Sequence, residues 1–415
     1  MPTTPAPMSL AYCTNVHAGD TLETNLAALD AHAVAVRRLL GVDTLPIGWW
    51  LSANSLADLR REGDRGVERV RRFLAERGLD VVTFNGFPFG DFHAPIVKHA
   101  VYRPDWMDPR RAEYTVQLAG LLAALRPRGA DASISTLPIG WPSNADPTAD
   151  LALAAGRLLD VVEALRALRD RTDVRIHVDL EPEPGCLLQR SQDVARFAER
   201  FLWPAASLRG LAREAVAEHL GVCHDVCHAA VMGEEQAACV AAYRIAGLPV
   251  GKVQVSSALA VDLDGPPGEV RARLAALRAF AEGRYLHQTM IRDRDGTHRF
   301  FDDLPWALAT LETEAGRDRS RAVECRVHFH VPVHLAGIEL ATGDGAALLG
   351  TTHGAIAACL AALRPMPTLE VETYAWNVLP TALGARDLAS GIVEELRWTA
   401  RSIQEVVGAP PEAGA

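Results

Sequence analysis

Lysine is almost missing from this chain. Of its 42 basic residues only Lys98 and Lys252 are lysines, and the rest are arginines. Positive charge is also short overall: the formal net charge is −10 and no basic cluster occurs, which argues against a nucleic-acid partner. No stretch approaches 18 uninterrupted apolar residues, so no membrane span is expected. The first eight residues lack the basic and apolar regions of a signal peptide, and a cytoplasmic location is the expectation. Seven cysteines make an odd set without paired metal-knuckle spacing, and they read as free thiols. Where arginine serves as nearly every surface cation, a retained lysine suggests a need for its compact ammonium, which singles out Lys252.

What the chain does have is a hydrophobic half (49%) over 415 residues, ample for a large core. Short β-branched runs recur at 10–15, 47–51, 80–85, 132–137, 175–181, 221–225, 251–256, 325–331 and 369–374. Between them lie Ala- and Leu-rich stretches of helical periodicity, at 22–40, 58–78, 110–125, 150–169, 191–202, 268–281 and 386–406. Such alternation predicts a parallel sheet wrapped by helices. With no Gly-x-Gly-x-x-Gly after the first strand, a (β/α)₈ TIM barrel is favoured over a doubly wound sheet. Nine candidate strands exceed eight by one, and the pattern does not say which is extra. The expected organisation is one domain over 9–406, with an elaboration at about 283–345 over the barrel mouth and flexible tails at 1–8 and 407–415.

The candidate strands end in residues that bind metals or move protons. Alternation places His177, Asp179 and Glu181 on one face, then Lys252, Gln254 and Ser256, then His328 and His330, then Glu370 and Glu372. Asp225 ends its strand, and His228 follows one turn later. In a parallel barrel these faces point inward, and the C-terminal ends form the active-site mouth. Carboxylates and imidazoles are costly inside a barrel unless paired or bound to a cation. Glu181, Asp225, Gln254, His330 and Glu372 are therefore expected to converge on a divalent metal, with mixed oxygen and nitrogen ligation that suits Mn, Mg, Co or Zn alike. His177 and Asp179, lying deeper, read as a buried hydrogen-bonded pair, and His328 as packing or support. In the first half, polar residues beside Gly, Pro and aromatics suggest a small-ligand pocket or a packed rim. Candidate substrate contacts are His17, Asn85, His93, Trp141, Glu183 and His287.

Several blocks, in order, resemble the EboE family. They are Tyr12-Cys-Thr-Asn-Val-His17, Asn85-Gly-Phe-Pro-Phe-Gly90, Ser135-Thr-Leu-Pro-Ile-Gly-Trp141, Leu180-Glu-Pro-Glu-Pro-Gly-Cys186, Gly221-Val-Cys-His-Asp-Val-Cys-His228, Lys252-Val-Gln-Val-Ser-Ser257, Tyr285-Leu-His-Gln288, His328-Phe-His-Val-Pro332 and Leu369-Glu-Val-Glu-Thr-Tyr374. The resemblance spans roughly 8–405. It implies a metabolite traffic protein of the xylose isomerase-like (sugar phosphate isomerase/epimerase) barrels, with a small sugar- or cyclitol-type substrate. It also implies metal ligands in the order Glu, Asp, His, Glu. Glu181, Asp225 and Glu372 match that order and His228 matches a histidine following the Asp, while Gln254 stands where a histidine is usual. His330 or His287 would then supply the imidazole.

These readings converge on a metal-dependent isomerase or epimerase in secondary-metabolite biosynthesis or traffic. Glu181 and Glu372 would form the acid/base pair, and His228 and Lys252 would orient substrate or steady its oxygen. The alternatives are a metal-dependent phosphoesterase of the same barrel type and a non-enzymatic metabolite carrier. The sequence leaves a homo-oligomer open.

Overall fold

The computed structural model describes residues 10–315, 321–343, 345–380 and 387–408. The tail at 1–8 lies outside these, as does the tail at 407–415 except for its first two residues, which end the last helix (Leu388–Gly408).

Seven parallel strands follow one another in chain order: β1 (Leu10–Cys13), β2 (Leu45–Trp49), β3 (Leu79–Asn85), β4 (Asp131–Thr136), β5 (Arg175–Leu180), β6 (Leu220–Asp225) and β7 (Val250–Val255). The chain then leaves the barrel. Strands β8 (Leu259–Asp262), β9 (Thr289–Asp293), β10 (His298–Phe301), β11 (Ala322–Val327), β12 (Gly337–Thr342) and β13 (Gly345–Thr351) build a separate antiparallel sheet in the order β10-β9-β11-β8-β13-β12. Strand β14 (Thr368–Val371) returns between β7 and β1 and closes an eight-stranded parallel barrel. The fold class is the (β/α)₈ barrel that strand–helix alternation implies. Among the described residues, no helix is long and apolar enough to cross a membrane.

Two expectations change. The extra strand candidate is 325–331: its first half belongs to β11, whose neighbours are β8 and β9 in the second sheet rather than barrel strands. An antiparallel strand with one buried face alternates just as a barrel strand does, so periodicity cannot tell them apart. The inserted sheet also runs from Leu259 to Thr351, wider than 283–345, because it begins only three residues after β7 ends.

Local chemistry sets the connections. Asp108 caps the helix Pro109–Leu125, with proline at its first position, where no amide hydrogen is needed. Asp225, the last residue of β6, accepts the amide hydrogen of His228 and so caps the short helix Val226–Val231.

The barrel interior is unusually polar. Thr83, Asn85, Ser133, Ser135, Asp179, Lys252, Gln254 and Glu370 are all at most 1% exposed. His177 Nδ1 lies 2.9 Å from Asp179 Oδ2, the buried pair read from their spacing. Higher up, Lys252 Nζ sits 2.5 Å from Glu370 Oε2 and donates to Asn85 Oδ1 at 2.8 Å.

Outside the barrel wall, Arg111 is fully buried and, among the described residues, makes no salt bridge. It donates to the carbonyls of Pro104 (2.9 Å), Gly86 (2.7 Å) and Phe87 (3.0 Å), tying the loop after β3 to the segment that carries Tyr102. Burial lowers the guanidinium pKa to about 10, leaving it charged at neutral pH. Arg111→Met should strand these carbonyls and lower stability by about 2–4 kcal/mol, read by urea unfolding. A loss below about 1 kcal/mol would mean that the loop holds without it.

Candidate metal centre

Three carboxyl groups meet at the C-terminal end of the barrel. Glu181 follows β5, Asp225 ends β6 and Glu372 follows β14, and their ligating oxygens all lie within 4.8 Å of one another. Each is buried. Asp225 Oδ1 is occupied, accepting from the His228 amide and from Ser256 Oγ, both at 2.8 Å. Asp225 Oδ2 is buried with no hydrogen-bond partner. Glu372 Oε1 accepts from Asn15 Nδ2 at 3.0 Å.

The electrostatics follow from this crowding. Burial, then Glu372 and Asp225, raise the Glu181 carboxyl well above its usual range. Burial, then Asp225 and Glu370, push Glu372 up to about 8. Burial would raise Asp225 as well, but His228, His330 and its two hydrogen bonds outweigh that and lower it. The crowding thus favours the protonated forms of Glu181 and Glu372 unless a cation takes the protons' place.

Beside the carboxyls stand three imidazoles. His228 follows Asp225 by one helical turn, whereas His328 and His330 arrive on the segment leaving β11. The barrel therefore supplies the carboxyls, while the inserted sheet supplies two of the three rings. His330 Nε2 is 3.8 Å from Asp225 Oδ2 and has no hydrogen-bond partner. Burial lowers its pKa to about 4 and drives that of His328 well below the ordinary histidine range.

Above this floor opens a cavity of about 70 Å³, partly open to solvent. Its polar lining includes Asn85, Tyr102, Glu181, Glu183, His228 and Glu372, and Phe87, Phe92, Tyr285 and Tyr374 form an apolar wall. Lys98 stands at the lining, ion-paired to Asp303 at 2.5 Å. Glu183 Oε1 accepts from Tyr102 Oη at 2.7 Å and Gln288 Nε2 at 3.1 Å.

Not every candidate reaches the cavity. Lys252 is absent from its lining: it lies below the floor, ion-paired to Glu370. His17 stacks on His32 at 4.4 Å instead. His93 Nε2 is held by the Asn15 carbonyl at 2.7 Å, and Trp141 packs against Tyr102. His287 stacks on Phe329, with Nδ1 on the His328 carbonyl (3.0 Å) and Nε2 on Glu282 (2.9 Å), so neither nitrogen is free to ligate. Gln254 gives its amide hydrogen to Asn85 at 3.0 Å, while its Oε1 is buried without a partner. Tyr102 and Tyr374 come to the site although no role was read for them, and His328, read as packing or support, lines it as well. The hint for Tyr374 was its place at the end of the block Leu369–Tyr374.

The fit of a divalent cation can be judged from these atoms alone. Asp225 Oδ2, Gln254 Oε1 and His330 Nε2 are buried acceptors without donors, next to two carboxyls that burial disfavours as anions. Buried acceptors rarely go unpaired, and a cation between Asp225 Oδ2 and His330 Nε2, 3.8 Å apart, would satisfy both.

The (β/α)₈ fold is shared with solved structures, among them a xylose isomerase-like TIM barrel. A protein of that description from Mycobacterium smegmatis, solved in complex with magnesium, superposes with a TM-score of 0.52 at 11% identity, over 97% of this chain and 98% of that one. An L-ribulose 3-epimerase gives a TM-score of 0.47 at 12% identity over 98% and 100% of the two chains. The IolI protein, with a bound zinc atom, gives 0.45 at 10% identity over 96% and 99%. No protein-family model matches the chain, and no curated protein does.

Proposed function

We propose that this protein is a divalent-metal-dependent isomerase or epimerase of a small polyhydroxylated substrate of the sugar or cyclitol type. The observation that carries the reading is the trio Glu181, Asp225 and Glu372, buried together on the floor of a solvent-open cavity with acceptor atoms left unpaired. These three residues, with Gln254 Oε1 or His330 Nε2, would hold the cation. When bound, it supplies Lewis-acid polarisation of a carbonyl, which acidifies the neighbouring C–H.

The chain's own groups do the rest. Glu181 and Glu372 line the cavity and would take and return the proton at its floor. Asn85, Glu183 and Tyr102 offer hydrogen bonds to hydroxyls, while Phe87, Phe92 and Tyr374 cover the apolar face of a ring and exclude water. The resemblance to the EboE family extends the proposal to secondary-metabolite biosynthesis or traffic in the cytoplasm.

The test is proton exchange at carbon. The metal-loaded protein is incubated in D₂O with a panel of ketoses, inososes and their phosphates, and deuterium uptake is read by NMR. Uptake with at least one panel member is expected, falling about 10²–10⁴-fold in Glu372→Gln. Ligand binding without exchange across the panel would replace this reading with that of a carrier.

A further inference from the structure

We infer that the centre holds a second, nitrogen-rich cation site, built by His228, His328 and His330 beside the carboxylate site and suited to a Zn²⁺-class ion. The carboxylate reading does not require it. With His330 assigned to this second site and Gln254 Oε1 left to the first, the two share Asp225.

The orientation of the rings is the first observation. His228 Nδ1 lies 2.9 Å from the Pro182 carbonyl, His328 Nδ1 2.7 Å from Gln288 Oε1, and His330 Nδ1 2.9 Å from the Glu372 carbonyl. A carbonyl oxygen only accepts, so each Nδ1 carries the hydrogen and each neutral ring turns the lone pair of Nε2 inward. The amide of Gln288 is itself fixed, because its Nε2 donates to Glu183 Oε1 and to the Pro184 carbonyl, both at 3.1 Å. A partner on the far nitrogen that fixes tautomer and ring angle is what ligating histidines characteristically have.

The second observation is what those lone pairs meet. His228 Nε2 and His328 Nε2 face each other at 3.0 Å, so two lone pairs oppose one another unless a proton or a cation intervenes. Two bonds of about 2.0–2.1 Å to one metal ion put neighbouring nitrogens roughly 3.0–3.4 Å apart, so the separation suits a shared ion. His330 Nε2 and Asp225 Oδ2, both buried, have no hydrogen-bond partner among the described residues. Asp225 Oδ2 lies 3.9 Å from His228 Nε2 and 3.8 Å from His330 Nε2, which places it between the imidazoles and the carboxylates. The rings are close in pairs, each with a different third donor: His228 and His328 with Glu183, His228 and His330 with Asp225, and His328 and His330 with Cys227, all within 4.8 Å.

Donor chemistry then separates the sites. Carboxylate and amide oxygens suit Mg²⁺ or Mn²⁺, while three imidazoles favour Zn²⁺ or Co²⁺. Since His328 and His330 come from the inserted sheet, this elaboration would bring its own cation to a barrel that already has one.

The test counts ions. Metal-free full-length protein is dialysed against Zn²⁺ alone, freed of excess and analysed for zinc, as wild type, as His328→Gln/His330→Gln and as Glu181→Gln/Glu372→Gln. Circular dichroism confirms that each variant is folded. Two zinc ions per chain are expected for wild type and one for each double variant. Co²⁺ should give visible absorption that the histidine variant loses and the glutamate variant keeps. Gln288→Leu, which frees the His328 ring without removing a ligand, should weaken the second zinc about 10–100-fold. One ion per chain, lost with the glutamates and indifferent to the histidines, would overturn the second site and leave the carboxylate site standing. One ion lost only with the histidines would do the reverse. No ion in the wild type would overturn both, leaving a shared proton between His228 and His328.

Discussion

Glu370→Ala should cost the folded protein about 3–5 kcal/mol, a far larger effect than loss of a surface ion pair. Lys252 Nζ is completely buried and lies 2.5 Å from Glu370 Oε2. Its other contacts, Asn85 Oδ1 at 2.8 Å and Ser135 Oγ at 3.3 Å, are neutral. Burial alone would lower the Lys252 pKa, and Glu370 with Cys223 more than offsets this, so the ammonium stays charged. Without Glu370, an uncompensated cation remains in the barrel. Gly48 belongs to the same arrangement: a Cβ there would stand 1.4 Å from Glu370 Oε1, so Gly48→Ala should be destabilising through this carboxylate. The pair replacement Lys252→Met/Glu370→Leu is expected to recover most of the loss, because removing both charges leaves none unpaired. Urea unfolding followed by circular dichroism measures all of these. A Glu370→Ala cost under about 1 kcal/mol would show that water or another group already shields Lys252.

That pair also marks how far the sequence could be read. Alternation places Lys252, Gln254 and Glu370 on inward faces, and the structure has all three inside the barrel. Height along the barrel axis is another matter, because it depends on register between strands distant in the chain. Gln254 pairs with Glu370 and with Asp225 across neighbouring strands, which sets Lys252 two residues below the floor. A retained lysine was a sound signal of a buried ammonium, but its partner was a structural carboxylate rather than a ligand. Glu181, Asp225 and Glu372 were legible because each stands at the end of a barrel strand, where inward residues face the mouth. His330 was named from a strand that proved to lie in the other sheet, and it reaches the centre from the loop beyond. His17, Trp141 and His287 carried no signal of direction: loop side chains lack the two-residue period that orients a strand, and each found an aromatic or hydrogen-bonding neighbour away from the cavity.

Removing the metal should make the protein's stability fall with pH, and restoring it should reverse that fall. The Glu372 carboxyl stands at about 8 in the metal-free fold, whereas an unfolded glutamate titrates near 4.3. An acid raised in this way contributes stability fully present below its unfolded value and lost as pH rises through its folded one. Each proton lost sets another anion beside Asp225, and Glu181 acts in the same direction. Chelated protein should therefore lose stability steadily between about pH 4.5 and pH 8 and level off above that. A cation binds the ionised carboxyls, so its effect has the opposite slope and grows as the protons leave. At about 100 times its Kd it should add about 2.7 kcal/mol, roughly 3 °C in Tm for a chain of this length, with the larger gain at the alkaline end. Differential scanning calorimetry with EDTA, and with Mn²⁺ or Zn²⁺ in its place, measures both slopes. In Glu181→Gln/Glu372→Gln the chelated slope should flatten and the metal response should shrink together, because one set of carboxyls causes both. Parallel curves for chelated and loaded wild-type protein would mean that the three carboxyls share their protons without a metal, and the electrophile of the proposed reaction would have to be sought elsewhere.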